Sequence, residues 1–257
     1  MGRWGGEMAV FDVNHVGSLA PAVPREGGAA SPCSACSIRN LTICAPLNDV
    51  EQAQMAAIVT NVEIEAGTPL FDEGEPADHV FNVTDGTLRI YKLLPDGRRQ
   101  VTGFLFAGDF LGLANDENYA YSAEAVTACK LCRFPRQKLE TLMERFPKVE
   151  QRLLNIASNE LAAAQEQMLL LGRKTAREKI ASFLLLLARR ARQRGRSESP
   201  VSVPMSRTDI GDFLGLTTET VSRTFTQLKQ SSLIRLLPNN EVELAGREEL
   251  EDIAGGF

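Results

Sequence analysis

The sequence lacks the features that mark membrane proteins and most enzymes. Its longest apolar run, Phe183–Ala188, is far shorter than the ~20 residues that cross a bilayer. Only two histidines occur, and no H-E-x-x-H, G-x-S-x-G or Gly-rich phosphate loop is present. Because polar residues such as Asp12 and Asn14 interrupt the N-terminal apolar stretch, no export signal is evident and we expect a cytoplasmic protein. Without a candidate acid–base pair, we do not expect an enzyme.

Charge is distributed unevenly along the chain. The net charge is −5, so the molecule as a whole carries no basic field. Residues 173–235 nevertheless hold 13 Lys and Arg against 5 Asp and Glu. This asymmetry favours an acidic module joined to one that binds a polyanion, although a solvated basic helix face would give the same excess.

The five cysteines are the most informative residues. Cys33, Cys36 and Cys44 form a C-x2-C-x7-C run, whereas Cys129 and Cys132 lie far downstream in a strand-rich region. Clustered cysteines in a protein without an export signal indicate metal or redox chemistry more often than disulfides. Four converging thiolates hold zinc or an iron–sulfur cluster, and spacing alone does not decide between them.

Turn signals and periodicity divide the chain into four segments. Residues 1–32, rich in Gly, Ala and Pro, predict a flexible tail. Residues 33–145 hold the cysteine segment, a short helix over 48–60 and a run of short strands separated by glycine turns, which together predict a small jelly roll. Residues 146–172 predict one long helix, and residues 173–257 a helical module that ends in a β-hairpin.

The long helix carries an apolar seam. Apolar residues occupy the a and d positions of three heptads: Leu154, Ala157, Leu161, Ala164, Met168 and Leu171. Such a seam predicts a dimer interface, and packing on the chain's own barrel is the alternative. Because alanine buries less apolar area than leucine, we expect a dimer weak enough to be switched.

Residues 205–229 predict a helix-turn-helix. Ser206 and Asp209 form a capping-box pattern, and Gly215 permits the turn between the helices. The exposed N-terminal end of the second helix, where a recognition helix contacts base edges, carries Thr218, Glu219, Ser222 and Arg223. An arginine there can donate two hydrogen bonds to guanine and a glutamate can accept one from cytosine. The hairpin that follows would be a wing; an ordinary helical hairpin with solvated polar residues is the alternative.

With these patterns combined, the chain resembles the CRP/FNR family of bacterial transcription regulators over nearly all of its length after the tail. The resemblance is carried by the glycine-punctuated barrel, Gly108-Asp-Phe-Leu-Gly112, the end of the long helix at Met168–Leu171, and Glu219-Thr-Val-Ser-Arg223. It implies an α+β fold with an N-terminal cyclic-nucleotide-binding-type β jelly roll, a long dimerisation helix and a C-terminal winged helix-turn-helix.

The cysteines resemble those of the FNR branch, whose members hold an oxygen-labile [4Fe–4S] cluster. The resemblance implies that Cys33, Cys36, Cys44 and one central cysteine bind this cofactor, although seven residues rather than the common five separate Cys36 from Cys44. It also implies a homodimer that binds a TTGAT-N4-ATCAA-like palindrome and loosens when oxygen converts the cluster. RNA polymerase would be a further partner, contacted by exposed barrel loops such as residues 72–78.

Cys129 and Cys132 compete for the fourth ligand position. Residues three apart on a strand point to opposite faces, so only one of the two should face the site. The stretch Cys132-Arg-Phe-Pro135 resembles the family's central cysteine stretch, which favours Cys132 and leaves Cys129 as a small buried residue.

Three other functions compete with this interpretation. A cyclic-nucleotide sensor needs an arginine for the ligand phosphate, but none occurs between Arg99 and Arg133, and residues 119–121, where it would align, are Tyr-Ala-Tyr. Because a phosphate buried without a cation is costly, we expect no cyclic nucleotide. The other two are a CRP/FNR-type regulator with a structural four-cysteine zinc site or another effector in the barrel, and an iron–sulfur electron carrier or enzyme.

Overall fold

A computed structural model describes residues 33, 36–113 and 117–255, and the predicted tail over 1–32 lies outside these residues. The first helix, α1, spans Asp49–Ala56 and is closed by a capping box between Asn48 and Glu51. The prediction of a helix to residue 60 was wrong at its C-terminal end. The β-branched run that begins at Ile58 favours extended backbone, and Thr60 already pairs in the barrel.

Eight antiparallel strands form the predicted jelly roll, which contains two four-stranded sheets. The strands are β1 (Thr60–Ile64), β2 (Pro69–Phe71), β3 (His79–Asp85), β4 (Thr87–Leu93), β5 (Arg99–Phe106), β6 (Phe110–Leu111), β7 (Ser122–Ala125) and β8 (Cys129–Pro135). One sheet has the order β1-β8-β3-β6 and the other β2-β7-β4-β5. Gly86 joins β3 to β4 at a φ of +87°, where any Cβ would overlap the backbone and thiol of Cys129.

The β1-β8-β3-β6 sheet separates two apolar clusters. The barrel interior contains, among others, Phe81, Val83 and Leu131. The second cluster, which we call the outer cluster, covers the opposite face and consists of Ile43, Leu47, Met55, Val80, Phe110, Phe134, Leu139, Leu142, Val149 and Leu153. The strand period of two sends alternate residues of β3 and β8 into one cluster or the other. The cysteine segment and the first helices are thereby fixed to the outside of the barrel.

Three helices follow the barrel. They are α2 (Arg136–Arg145), α3 (Pro147–Arg173) and α4 (Ala176–Gln193). Pro147 occupies the first turn of α3, where its missing N–H needs no partner. Thr175 and Glu178 form the capping box that begins α4. Among the described residues, none of the helices combines the length and apolarity needed to cross a membrane.

A winged helix ends the chain. Its elements are β9 (Val201–Ser202), α5 (Arg207–Leu214), α6 (Thr218–Gln230), β10 (Arg235–Leu237), β11 (Glu241–Glu243) and α7 (Arg247–Ala254). The strands form a sheet of order β10-β11-β9. The predicted hairpin is present and turns at Asn239 and Asn240, both of which have positive φ. The hairpin is supplemented by β9 and by α7, which the sequence patterns did not indicate.

The winged helix docks on the barrel through ion pairs. Asp209 on α5 accepts hydrogen bonds from Arg89 on β4 at 3.0 Å and from Arg99 on β5 at 2.7 Å. Arg99 also pairs with Asp212 at 2.9 Å, and Arg89 pairs with Glu124 on β7. These buried and half-buried pairs join the winged helix to the β2-β7-β4-β5 sheet.

Candidate metal centre and nucleic-acid interface

The fold brings the three N-terminal cysteines close to Cys132. Burial, together with the nearby Cys33 and Cys36 thiols, raises the pKa of Cys44 to about 11. Burial also raises the pKa of Cys132 to about 12, and each of the other three thiols adds to that rise. Because charges influence one another in this way only at short range, the four sulfurs share one region on the outside of the barrel.

Cys129 lies on the other face of β8. Its side chain belongs to the barrel interior and is 1% exposed. Its thiol donates to the backbone oxygen of Thr87 at 3.3 Å and to that of Thr127 at 3.1 Å. Cys132, by contrast, packs against the outer cluster. The two cysteines therefore lie on opposite faces of β8, as strand alternation predicts, and Cys132 is the one on the side of the cysteine segment.

The four thiols are gathered but not closed around a common centre. Within the described part of the chain, no group of three or more His, Cys, Asp or Glu side chains has the spacing of a metal site. The donor set itself, four half-buried cysteine sulfurs, suits zinc or an iron–sulfur cluster. The raised pKa values of Cys44 and Cys132 mean that these two thiols keep their protons at neutral pH, so a bound metal must displace them.

Side chains from two helices hold the cysteine segment in place. Arg152 on α3 donates to the backbone oxygens of Leu41 at 3.1 Å and of Thr42 at 3.4 Å. Gln52 on α1, itself buried, donates to the backbone oxygen of Cys33. The position of this loop is thus tied directly to the long helix.

The predicted DNA-reading residues stand at the exposed N-terminal end of α6. Thr218, Glu219, Ser222 and Arg223 are all exposed. The opposite face of the helix is buried through Val221, Phe225 and Leu228. Thr217 caps the helix by accepting from the backbone N–H of Thr220 at 3.1 Å. This arrangement has the shape of a recognition helix, with its first turns free to enter a major groove.

The predicted dimer seam is exposed along most of α3. Leu154, Leu161 and Met168 are 57%, 63% and 69% exposed, and Ala157 and Ala164 are exposed too. Packing of this stripe on the chain's own barrel is therefore absent for these five residues. Leu171 differs, since it is half-buried and packs within its own chain against the core of the winged helix.

Aromatic rings occupy the barrel interior where a phosphate-binding arginine would align. The ring of Tyr119 stacks on that of Phe71 with centroids 3.7 Å apart. Its hydroxyl donates to the backbone oxygen of His79 at 2.8 Å. Tyr121, also in contact with this cluster, accepts a hydrogen bond from the backbone N–H of Gly112 at 3.1 Å. These groups offer an anion no fixed cation.

Two residues near these sites, Arg152 and Asn82, were not identified from the sequence, and neither were the partners of the capping residue Asp209 on the barrel. Arg152 and Asp209 are ordinary charged residues on predicted helices, and only the folded chain shows which partners they meet. Asn82 lies in the run His79–Asp85, where a polar residue at a buried strand position was a readable signal.

Comparison with known proteins places most of the chain in one family. Residues 61–146 match the cyclic nucleotide-binding domain family, and residues 178–253 match the Crp-like helix-turn-helix domain family. The transcriptional activatory protein AadR of Rhodopseudomonas palustris is 44% identical over 79% of this chain and 85% of its own length. The transcriptional activator protein FnrL of Cereibacter sphaeroides is 39% identical over 87% of this chain and 92% of its own.

Among solved structures, FixK2 from Bradyrhizobium japonicum is similar at 37% identity with a TM-score of 0.71, covering 76% of this chain and 97% of that one. Regulators of the CRP/FNR family bind DNA through this helix-turn-helix and act as dimers. The chain belongs to the CRP/FNR family of DNA-binding transcription regulators, together with its FNR-like members, and is not an enzyme.

Proposed function

We propose that this regulator responds to oxygen through a [4Fe–4S] cluster held by Cys33, Cys36, Cys44 and Cys132. The observation that carries the proposal is the convergence of these four thiols from distant parts of the sequence onto one face of the barrel. When bound, the cluster supplies an oxygen-reactive inorganic centre. The relative named FnrL and the cysteine spacing support the same assignment.

The protein's own residues prepare this site in two ways. The outer cluster packs against Cys44 and Cys132, which are half-buried, and this limits access of solutes to their sulfurs. The protonated thiols of the empty site release their protons to solvent when metal binds, so loading is favoured at higher pH.

The contact between Arg152 and the cysteine loop provides a route from the site to the dimer helix. Arg152 lies on α3 two residues before Leu154, the first seam residue. A change in the loop that carries Leu41 and Thr42 alters hydrogen bonds made by α3 itself. We infer that loading of the site sets the orientation of α3 and hence the fit of the seam to its partner.

At the DNA, Glu219, Ser222 and Arg223 would read a TTGAT-N4-ATCAA-like palindrome. Their exposure at the start of α6 leaves them available to base edges. The hydroxyl of Ser222 donates to the backbone oxygen of Thr218 at 2.9 Å, which leaves its lone pairs directed at an incoming donor. The exposed loop that begins at Asp72 would contact RNA polymerase.

The two central cysteines give a matched test of the ligand set. Each of the substitutions Cys132→Ser and Cys129→Ser replaces a thiol by a hydroxyl, and the two residues lie on opposite faces of β8. We expect Cys132→Ser to abolish iron and sulfide incorporation during anaerobic purification and Cys129→Ser to retain it. Loss of the cluster from Cys129→Ser alone would overturn the ligand assignment. Stoichiometric zinc in the anaerobic unmutated protein, with no sulfide, would replace the proposal by a structural zinc site.

A further inference from the structure

Asn82 is a buried amide next to the candidate metal centre. It lies in the middle of β3 and is 1% exposed. It pairs directly with Cys132 on β8 and with Phe110 on β6. On its other side, Cys132 pairs with Asn61 of β1, so a single cross-strand row reads Asn61, Cys132, Asn82, Phe110.

The alternation of β3 sets the direction of the Asn82 side chain. Phe81 and Val83 belong to the barrel interior, whereas Val80 belongs to the outer cluster. Asn82 therefore shares the outer face with Val80 and with Cys132. Directly opposite residues in an antiparallel pair have Cβ atoms about 4.5–5.5 Å apart. The amide thus adjoins the cysteine whose thiol turns toward the N-terminal segment.

The amide oxygen of Asn82 is not satisfied by the part of the protein that the structure describes. Its Oδ1 is buried and accepts no hydrogen bond there. Burying an unpaired amide costs free energy, and a leucine of similar size would pack better at a strand position between apolar neighbours. Asn82 therefore lowers the stability of the folded protein unless another group in the site forms a hydrogen bond with its amide.

We propose that Asn82 belongs to the cysteine site and donates an amide N–H hydrogen bond to the sulfur of Cys132, or to an inorganic sulfide beside it, when the site is loaded. This inference rests on the proposed function. Rotation about the last side-chain bond exchanges the amide oxygen and nitrogen, so the NH₂ group can turn toward a sulfur. Hydrogen bonds to cluster sulfurs help set the stability and potential of iron–sulfur sites, and losing an outer partner typically weakens metal binding by about 10–100-fold.

The test compares Asn82→Leu with Asn61→Leu. Both variants remove an amide beside Cys132, but Asn61 is exposed. Its Oδ1 accepts a hydrogen bond from the Cys132 thiol at 3.9 Å in the empty site, and this bond is absent once the sulfur has lost its proton to a metal, when water solvates the Asn61 amide instead. Two quantities are measured for each variant: the urea midpoint of the cluster-free protein and the rate at which the anaerobically loaded protein bleaches in air. We expect Asn82→Leu to raise the urea midpoint and to bleach about 10-fold faster or more. We expect Asn61→Leu to change neither.

A variant that is more stable without the cluster but loses the cluster faster in air distinguishes a role at the site from a purely structural role. A merely structural Asn82 would lower the urea midpoint on substitution, and that result would overturn the inference, as would unchanged iron content and bleaching. If the unmutated protein holds no iron, the proposed function fails first. If zinc fills the site instead, the rate at which a chelator removes zinc is measured in place of bleaching. Equal rates for Asn82→Leu and the unmutated protein would then refute the role of Asn82.

Discussion

Removal of the Asp209 carboxylate should loosen the winged helix from the barrel. Asp209 is 4% exposed and accepts hydrogen bonds from both Arg89 and Arg99 across the interface. Its second oxygen accepts from the backbone N–H and hydroxyl of Ser206, which begins α5. One side chain therefore supports both the docking of the winged helix and the start of its first helix.

The magnitude follows from what Asp209→Ala leaves behind. Removing one partner of a buried ion pair costs about 3–5 kcal/mol, because the remaining charge is uncompensated. Here Arg89 keeps Glu124 and Arg99 keeps Asp212, which reduces the cost. Disruption of the capping box adds about 1 kcal/mol. We therefore expect a loss of about 3 kcal/mol in the free energy of unfolding.

Urea unfolding of the cluster-free protein, followed by circular dichroism, measures this effect. Because the lost contacts join two parts of the chain, we expect Asp209→Ala to unfold in two steps, with the winged helix first. Glu63→Ala is the control, since it removes a carboxylate from the exposed pair with Lys130 and should cost less than about 1 kcal/mol. A single transition for Asp209→Ala, at the midpoint of the control, would refute the reasoning.

Three more predictions concern the interface with DNA, the dimer and pH. Arg223→Ala should weaken gel-shift binding to a TTGAT-type duplex by about 1–3 kcal/mol; equal binding of scrambled and palindromic duplexes by the unmutated protein would contradict the assignment. Leu161→Arg should shift sedimentation to the monomer, because it places a charge in the seam; an unchanged dimer would exclude the seam. The free energy of unfolding of the metal-free protein should fall as the pH rises above 9. Folding raises the pKa of Cys44 from 9.0 to about 11 and that of Cys132 to about 12, so these thiols lose their protons in the unfolded protein first. A urea midpoint that rises over this interval would contradict the burial of these thiols.

Local patterns predicted most of the architecture, although not β9 or α7. The glycine turns and alternating strands indicated the jelly roll, and the capping-box pattern at Ser206 indicated the start of the first helix of the helix-turn-helix. These signals succeed because turn conformation and capping depend on a few neighbouring residues. The end of α1 was misplaced because pairing of Thr60 with β8, some 70 residues away, decides it.

The candidate site was only partly predictable for the same reason. The alternation of β8 separates Cys129 from Cys132, and this needs only the period of a strand. The hydrogen bonds from Arg152 to the cysteine loop depend on how α3 crosses the barrel, which no local pattern contains. Asn82 could be noticed as a polar residue in a buried strand, but its place beside Cys132 required the pairing of β3 with β8.

The central claim is that the four gathered thiols control DNA binding through an oxygen-labile cluster. The most direct measurement is the affinity of anaerobically purified protein for a TTGAT-type palindrome before and after exposure to air, with iron and sulfide determined on the same samples. We predict a coloured protein that contains iron and sulfide and loses both its colour and its specific binding in air. A colourless protein without iron, with the same affinity in both conditions, would contradict the account.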